Sequence, residues 1–260
     1  NPRLIIGRMT GWGQYGPLSS AAGHDINYIS LTGALRAIGR KGQPPVAPLN
    51  LVGDYGGGGM FLVTGILAAL VETQKSGKGQ VIDVAMTDGS AVLMSVFNSL
   101  YGMGMWNTHH GSNFLDSGSH FYEVYETSDG KYISIGSLEP QFYALLLEKL
   151  GLDPEEFKAQ NNPSKWTEYK VKFISIFKSK TRDDWCKEME GTDICFAPVL
   201  DYLEAQKHPH NIARETYMKL DGIVQPSPAP RFSRTASEVK FGSRAAGENS
   251  EEILKDWGLI

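Results

Sequence analysis

Apolar runs typical of strands and of helices alternate over the first hundred residues of the chain. An apolar run from Leu4 to Met9 predicts a buried strand, and alternating apolar and polar residues from Gln80 to Ala85 predict a second strand. Helical spacing of apolar residues predicts three helices, over His24 to Ala37, over Met60 to Lys75 and over Asp88 to Leu100. The second of these is apolar on most sides and is expected to be buried. This alternation predicts an α/β layer architecture with a Rossmann-like large domain.

The pattern changes beyond residue 100. Residues 101–118 lose periodicity, which predicts a linker. Two alternating runs, Tyr122 to Glu126 and Tyr132 to Ile135, flank an Asp-Gly pair and predict a β-hairpin. Further helices are predicted over Gln141 to Leu150, Ser164 to Lys178, Arg182 to Glu188 (with Thr181 as its N-cap) and Glu251 to Trp257. We therefore predict a large α/β domain (1–100), a smaller α+β domain (119–208), a second linker (209–227) and a return to the large domain (228–260).

Composition and net charge argue against a disordered protein and against a nucleic-acid-binding protein. The 260 residues are 41% hydrophobic and 21% charged, as expected of a globular protein rather than a disordered one. A formal net charge of −4 gives no basic surface of the kind that binds nucleic acid. Arg36, Arg40 and Lys41 form a local basic cluster that would suit an anionic ligand, but a solvated helix end is the favoured interpretation.

Two further features bear on the compartment. Cys186 and Cys195 are too few for a disulfide framework, so a reducing, cytoplasmic location is expected. The longest apolar run, Met60 to Val71, is shorter than the roughly 20 residues that span a bilayer, so no membrane partner is expected.

The run Gly53-Asp54-Tyr55-Gly56-Gly57-Gly58-Gly59 is the first candidate for chemistry. Four glycines before a helix allow close approach of a ligand to the backbone and offer N–H groups to negative charge. The run lacks the Lys-Ser/Thr of a phosphate-binding P-loop, whereas a developing oxyanion would suit it. The alternative is that the glycines only permit tight helix packing and that Asp54 is an N-cap; the two interpretations have even weight.

Two more residues could act as acids or bases. His24 follows a glycine at the start of a predicted helix, where the helix dipole favours a neutral ring that can accept a proton. Glu139 precedes a helix that starts with proline. Taken alone, each is more often a capping residue than a catalytic one. His109, His110, His208 and His210 lack metal-binding spacing, so no metal is expected.

Several longer segments resemble the α-methylacyl-CoA racemases of the family III CoA-transferase superfamily. They are Ala22 to Tyr28, Pro48 to Asp54, Gly77 to Val81, Glu139 to Tyr143 and, near the C-terminus, Pro228 to Pro230. The resemblance extends over essentially the whole chain and implies epimerisation of 2-methylacyl-CoA thioesters by proton transfer at the α-carbon through an enolate.

The resemblance also implies site residues. His24 and Asp54 would be the two bases on opposite faces of the α-carbon, with Glu139 as the partner of His24 and Asn50 as the partner of Asp54. The backbone N–H of Asp54 would hold the thioester oxygen. The residues implied to bind substrate are Gly23, Asp25, Ile26, Asn27, Tyr28 and Gly53, and the methionine-rich segment would take the acyl chain.

The resemblance implies an interlocked homodimer in which Glu139 meets His24 across the subunit boundary. Coenzyme A would be part of the substrate, so no cofactor is expected. Compared with the family, the chain is expected to lack the N-terminal part of the large domain. Ser117 to His120 replaces a Gly-Gly-Ala-Pro stretch common in the racemases, which places His120 as an extra polar group near the site.

Two other functions compete with this prediction. In a CoA-transferase of the same superfamily, Asp54 would be a covalent nucleophile rather than a base. The transferases generally lack the histidine found here at position 24, so His24 favours the racemase. A non-catalytic acyl-CoA-binding or scaffold protein would bind the thioester without exchanging its α-proton.

Overall fold

A computed structural model describes all residues from Asn1 to Ile260. The chain forms two compact units, Asn1–Pro198 and Val199–Ile260. The elements, in chain order, are β1 (Ile6–Thr10), α1 (Asp25–Leu31), α2 (Ala34–Ala37), a π-helical segment (Leu51–Gly59), α3 (Met60–Ser76), β2 (Val81–Ala85), α4 (Met86–Leu93), α5 (Ser95–Gly102), β3 (Tyr122–Glu126), β4 (Tyr132–Gly136), α6 (Pro140–Leu150), α7 (Pro163–Phe177), α8 (Arg182–Met189), β5 (Phe196–Val199), α9 (Tyr202–Ala205), α10 (Pro209–Ala213), β6 (Tyr217–Leu220), β7 (Ile223–Pro226) and α11 (Ser250–Asp256). The domain boundaries predicted above stay a prediction.

The two predicted strands of the α/β part pair in parallel. The register aligns Ile6 with Val81 and Thr10 with Ala85, and the connection between the strands contains α3. Parallel pairing with a helical crossover is the predicted α/β arrangement. The prediction that the first strand is buried is wrong, because β1 is exposed over all but its last residue. The sheet has only these two strands.

The helix predicted from His24 to Ala37 is two helices. Gly33 has a φ of +82°, in the left-handed region that glycine adopts without strain, and it separates α1 from α2. The apolar spacing continues across this break, which is why periodicity alone predicted one helix. The break leaves His24 immediately before α1, whose seven residues run to Leu31.

The glycine-rich run is helical rather than a loop. The π-helical segment continues directly into α3, so that one helix runs from Leu51 to Ser76. Glycine is required where this segment crosses α4, because a Cβ at Gly57 would lie 2.6 Å from the backbone nitrogen of Ser90. A Cβ at Gly89 would overlap the carbonyl of Gly57. The glycines therefore permit tight helix packing at this crossing, but the expectation that Asp54 is the N-cap is wrong, because Asn50 holds that position.

Helix α3 is less buried than predicted. Of its 17 residues only Ala69 and Thr73 are buried, and Leu67 and Val71 are more than half exposed. The continuous helix of 26 residues is long and apolar enough to cross a membrane by length and composition alone, although the predicted apolar run was too short to do so. The difference arises because the helix begins at Leu51 and not at Met60.

The predictions for the α+β part are confirmed closely. Strands β3 and β4 form the antiparallel hairpin, and α6, α7 and α8 lie within a residue of their predicted bounds. Thr181 caps α8 by accepting a hydrogen bond from the N–H of Asp184 at 3.2 Å. Strand β5, which was not predicted, extends the hairpin to three strands. In the second unit, β6 and β7 form a hairpin and α11 lies one residue before its predicted position.

The largest hydrophobic core lies in this α+β part. Aromatic side chains dominate it, including Phe121, Tyr125, Phe173, Phe177 and Trp185. His120 is fully buried among them, with ring centroids 5.0 to 5.4 Å from Phe121, Tyr143, Tyr169 and Phe173. The prediction that His120 lies near the site is therefore wrong, because its ring fills the aromatic core.

Burial, together with the smaller effect of the positive charge of Lys170, lowers the pKa of His120 to about 3. Its Nε2 forms a hydrogen bond of 2.7 Å with the Tyr143 hydroxyl, and its Nδ1 has no partner. The folded protein therefore keeps this ring neutral in a pH range where the unfolded chain, with an ordinary histidine pKa of about 6.5, is protonated.

Replacing His120 by Phe should weaken the pH dependence of stability. Because only the unfolded state takes up this proton, the free energy of unfolding should fall by about 2 kcal/mol more in the wild type than in His120→Phe between pH 7 and pH 5. Urea unfolding at the two pH values measures the difference. His109→Phe, at an exposed position, is the matched control and should keep the wild-type fall; equal falls in the wild type and His120→Phe would contradict this account.

Candidate active site

Two helical elements bring His24 and Asp54 into one region. His24 is the N-cap residue of α1, and Asp54 lies in the first turn of the π-helical segment. Asp25 links them, since its Oδ2 accepts the backbone N–H of Gly53 at 2.6 Å and that of Asp54 at 2.8 Å. The residue next to His24 in sequence is thus hydrogen-bonded to the backbone of Asp54.

The carboxylate of Asp54 has two polar neighbours. Asn50 donates from Nδ2 to Asp54 Oδ2 at 3.2 Å, the contact that the sequence comparison implied. Burial raises the pKa of the Tyr28 hydroxyl, and the negative charge of Asp54 raises it further. The Tyr28 hydroxyl donates to the carbonyl of Gly23, so it is held inside the site. Asp54 itself is half-buried.

The segment from Gly23 to Tyr28, which contains His24, is partly exposed. His24, Ile26 and Asn27 are exposed, whereas Asp25 and Tyr28 are buried. The backbone N–H of His24 donates to Asn27 Oδ1 at 3.0 Å, so Asn27 fixes the backbone at the base of the imidazole. Exposed positions in this segment could contact a substrate, and the two buried ones support them from below.

The predicted oxyanion contact does not agree with the structure. The backbone N–H of Asp54, expected to hold the thioester oxygen, donates to Asp25 instead. The N-cap position of this segment belongs to Asn50, and its side chain makes no capping hydrogen bond. Asp25 thus takes the donor that sequence comparison assigned to the substrate.

Glu139 lies apart from the other predicted residues. It is exposed at the N-cap position of α6, but its side chain caps nothing. Burial raises the pKa of the Cys195 thiol, and the negative charge of Glu139 raises it further. No hydrogen bond or ion pair joins Glu139 to His24 within the chain. Its carboxylate is therefore free to meet another group.

Two members of the basic cluster, Arg36 and Arg40, contact different residues of the chain. Arg40 pairs with Glu123, a buried carboxylate that also pairs with Lys170 at 2.8 Å. Arg36 contacts the ring of His110. Arg36, Arg40 and Lys41 are all exposed, as expected of a solvated helix end, but two of the three side chains are engaged in these contacts. The chain contains no group of three or more His, Cys, Asp or Glu side chains that could hold a metal ion.

An apolar cavity of about 540 Å³ borders the π-helical segment that contains Asp54. Val52, two residues before Asp54, lines it. The rest of its wall is largely apolar and includes Leu93, Met94, Phe97, Trp106 and Leu115. Met94 lines this cavity, whereas Met103 and Met105 are exposed.

Comparison with known proteins identifies the family of this chain. The model of CoA-transferase family III matches residues 1–250. The chain belongs to this family. Alpha-methylacyl-CoA racemase of Mus musculus is 46% identical over 263 residues, and the human protein of the same name is 43% identical over 261 residues; each alignment covers 100% of this chain and 68% of the relative.

The fold of this CoA-transferase family III chain also matches solved structures. A CAIB/BAIF family protein from Brucella suis superposes with a TM-score of 0.81 at 22% sequence identity, covering 98% of this chain and 68% of that one. The predicted family III fold is confirmed by this similarity. Interlocking of two chains stays a prediction.

Sequence reasoning missed the link made by Asp25. It assigned Asp25 to substrate binding, whereas the structure buries its side chain, with 4% exposed, against Gly53 and Asp54. The bonded residues are 28 and 29 positions apart in sequence, so no local pattern signals the contact. Only the need for glycine at position 53, where a Cβ would lie 2.6 Å from Asp25 Oδ2, hints at it.

Proposed function

We propose that this chain epimerises 2-methylacyl-CoA thioesters at the α-carbon, with His24 and Asp54 as the two acid/base groups. Identity of 43–46% to proteins named alpha-methylacyl-CoA racemase supports the reaction class. The observation that carries the assignment of residues is the hydrogen bond from the Asp54 backbone to Asp25, the neighbour of His24. This bond links the residue beside His24 to the backbone of Asp54, which supports the proposal that both residues belong to one site.

The chemistry follows from two bases on opposite faces of one carbon. One base removes the α-proton, and the electron pair moves into the thioester carbonyl to give an enolate. The other base, carrying a proton, delivers it to the opposite face, which inverts the centre. Positioned acid/base groups accelerate such transfers by about 10²- to 10⁴-fold each. Asn50, which donates to Asp54 Oδ2, orients that carboxylate in our proposal.

The substrate's two ends require different surroundings. We propose that the acyl chain occupies the apolar cavity, because apolar walls favour an apolar chain. Its lining includes Val52, Met94, Phe97 and Trp106. The exposed part of the segment from Gly23 to Tyr28 would contact the thioester region. Coenzyme A enters as part of the substrate, so the proposed reaction uses no separate cofactor.

A homodimer is proposed because the single chain leaves the site without Glu139. The Glu139 carboxylate is exposed and uncapped, and it makes no contact with His24 of the same chain. In an interlocked dimer it would meet His24 of the other subunit and orient the imidazole. The exposed apolar side chains of α3 and α5, such as Leu67, Val71 and Val96, are surfaces that a second chain could cover.

A CoA-transferase is the second candidate. Its nucleophile would be the same carboxylate, Asp54, which is half-buried and held by Asn50. A transferase does not need His24, whereas two-base epimerisation does. The presence of His24 is therefore the reason why the transferase is less favoured than the racemase. A cytoplasmic location remains a proposal that depends on Cys186 and Cys195 both being free thiols.

Deuterium exchange distinguishes the two reactions. With one epimer of a 2-methylacyl-CoA in deuterated water and no acceptor acid, we expect deuterium at the α-carbon together with inversion. His24→Ala and Asp54→Ala should each slow inversion by about 100-fold or more. His109→Ala, at an exposed position outside the proposed site, is the control. Transfer of coenzyme A to a free acid without α-exchange would contradict the racemase and favour the transferase.

Mixing two inactive variants tests the dimer. If Glu139 acts on the His24 of the other chain, a heterodimer of His24→Ala and Glu139→Ala has one site with both residues intact and one with neither. Random mixing makes half of the dimers mixed, so activity should recover to about a quarter of the wild-type value. We would measure inversion after co-refolding the two variants. No recovery above the separate variants would show that both residues act from the same chain.

A further inference from the structure

Asp25 has an unusual combination of burial and bonding. Asp25 is only 4% exposed. One oxygen, Oδ2, accepts two backbone N–H groups, from Gly53 at 2.6 Å and from Asp54 at 2.8 Å. The other, Oδ1, is buried without a partner. A buried carboxylate is costly unless its bonds compensate for lost water, so such a residue calls for a reason.

A local residue could have done the capping. The N-cap position of the π-helical segment holds Asn50, a residue type that normally accepts N–H groups of the first turn. Asn50 makes no such bond and donates its Nδ2 to the Asp54 carboxylate instead. The first-turn N–H groups are capped from α1, so that the cap also joins two elements. The side chain of Asn50 is thereby available to orient Asp54.

The two hydrogen bonds from the amides of Gly53 and Asp54 to Asp25 are called the joint below. The position of Asp25 in the chain gives this joint a function. It follows His24 directly and bonds the amide of Asp54 itself, so the backbones of both proposed bases are connected through one side chain. Gly53 permits this approach, because a Cβ there would lie 2.6 Å from Asp25 Oδ2. Misplacing a reacting group by about 1 Å can cost on the order of 10²-fold in rate. Inversion requires two groups to be correctly placed at once, whereas proton removal and return on one face requires only one.

We infer that Asp25 is a positioning residue that sets the spacing between His24 and Asp54, and that inversion depends on it more than α-proton exchange does. The inference rests on the proposed function. Asp25 does not touch the reacting carbon, since its Oδ2 is taken by the two N–H groups and its side chain is buried.

The test separates inversion from exchange. A single epimer of a 2-methylacyl-CoA is incubated with the full chain in deuterated water, and inversion and deuterium in the recovered starting epimer are both measured. Asp25→Ala should slow inversion by about 100-fold, and the ratio of exchange without inversion to inversion should rise by at least about tenfold. Asp25→Asn keeps an oxygen for the two N–H groups, so it should restore inversion to within about tenfold of the wild type, with an unchanged ratio.

Two further variants distinguish positioning from folding. Gly53→Ala pushes against the same oxygen from the other side and should reproduce the raised ratio. Asp83→Ala removes another bond between a carboxylate and a backbone N–H in the same unit, from Gln14 at 3.1 Å, and should leave the ratio unchanged. If Asp25→Ala lowers exchange and inversion by the same factor, or changes neither, the positioning role is wrong.

Amide hydrogen exchange tests the joint without reference to activity. The N–H groups of Gly53 and Asp54 should be protected in the wild type and in Asp25→Asn, and should exchange at least about tenfold faster in Asp25→Ala. A wild type that catalyses neither exchange nor inversion would overturn the proposed function and, with it, the role of Asp25 in inversion. Equal protection in the wild type and Asp25→Ala would overturn the joint even if the enzyme were active.

Discussion

The account depends on one pair of hydrogen bonds, from the backbone amides of Gly53 and Asp54 to the Asp25 carboxylate. A charged acceptor strengthens such bonds, and burial keeps water from competing for them. Because Asp25 is fixed to α1 by its own backbone, these bonds determine where the π-helical segment begins relative to His24. The hydrogen bond from Asn50 to the Asp54 carboxylate then orients that carboxylate.

Glycines make this arrangement possible at two levels. Gly53 admits the carboxylate of Asp25, and Gly57 admits the backbone of α4 on another side of the same segment. Each would be blocked by a single methyl group. Glycine loses more conformational entropy on folding than alanine would, but it allows the close contacts on two sides of this segment. The glycine run thus has a packing role whether or not a ligand approaches it.

Local signals predicted the α+β part well and the α/β part less well. The Asp-Gly turn defined the hairpin of β3 and β4, and Thr181 defined the start of α8, because turns and caps depend on neighbouring residues. The break at Gly33 comes from a left-handed glycine inside a continuous apolar pattern, and the helical glycine run packs tightly against α4; periodicity encodes neither feature. The resemblance to the family was enough to name His24, Asp54 and Asn50. The joint through Asp25 connects residues 28 and 29 positions apart, so it is visible only in the folded structure. His120 was misplaced for the opposite reason, since an unusual residue in a motif had been taken for a site residue when it fills an aromatic core.

The most direct test of the central claim is a crystal structure of the protein with a non-epimerising 2-methylacyl-CoA analogue bound. We expect the α-carbon to lie between the His24 imidazole and the Asp54 carboxylate, within about 3.5 Å of each and on opposite faces. Asp25 should still accept the amides of Gly53 and Asp54. Two bases on the same face of the carbon, or an acyl group bonded covalently to Asp54, would contradict the account.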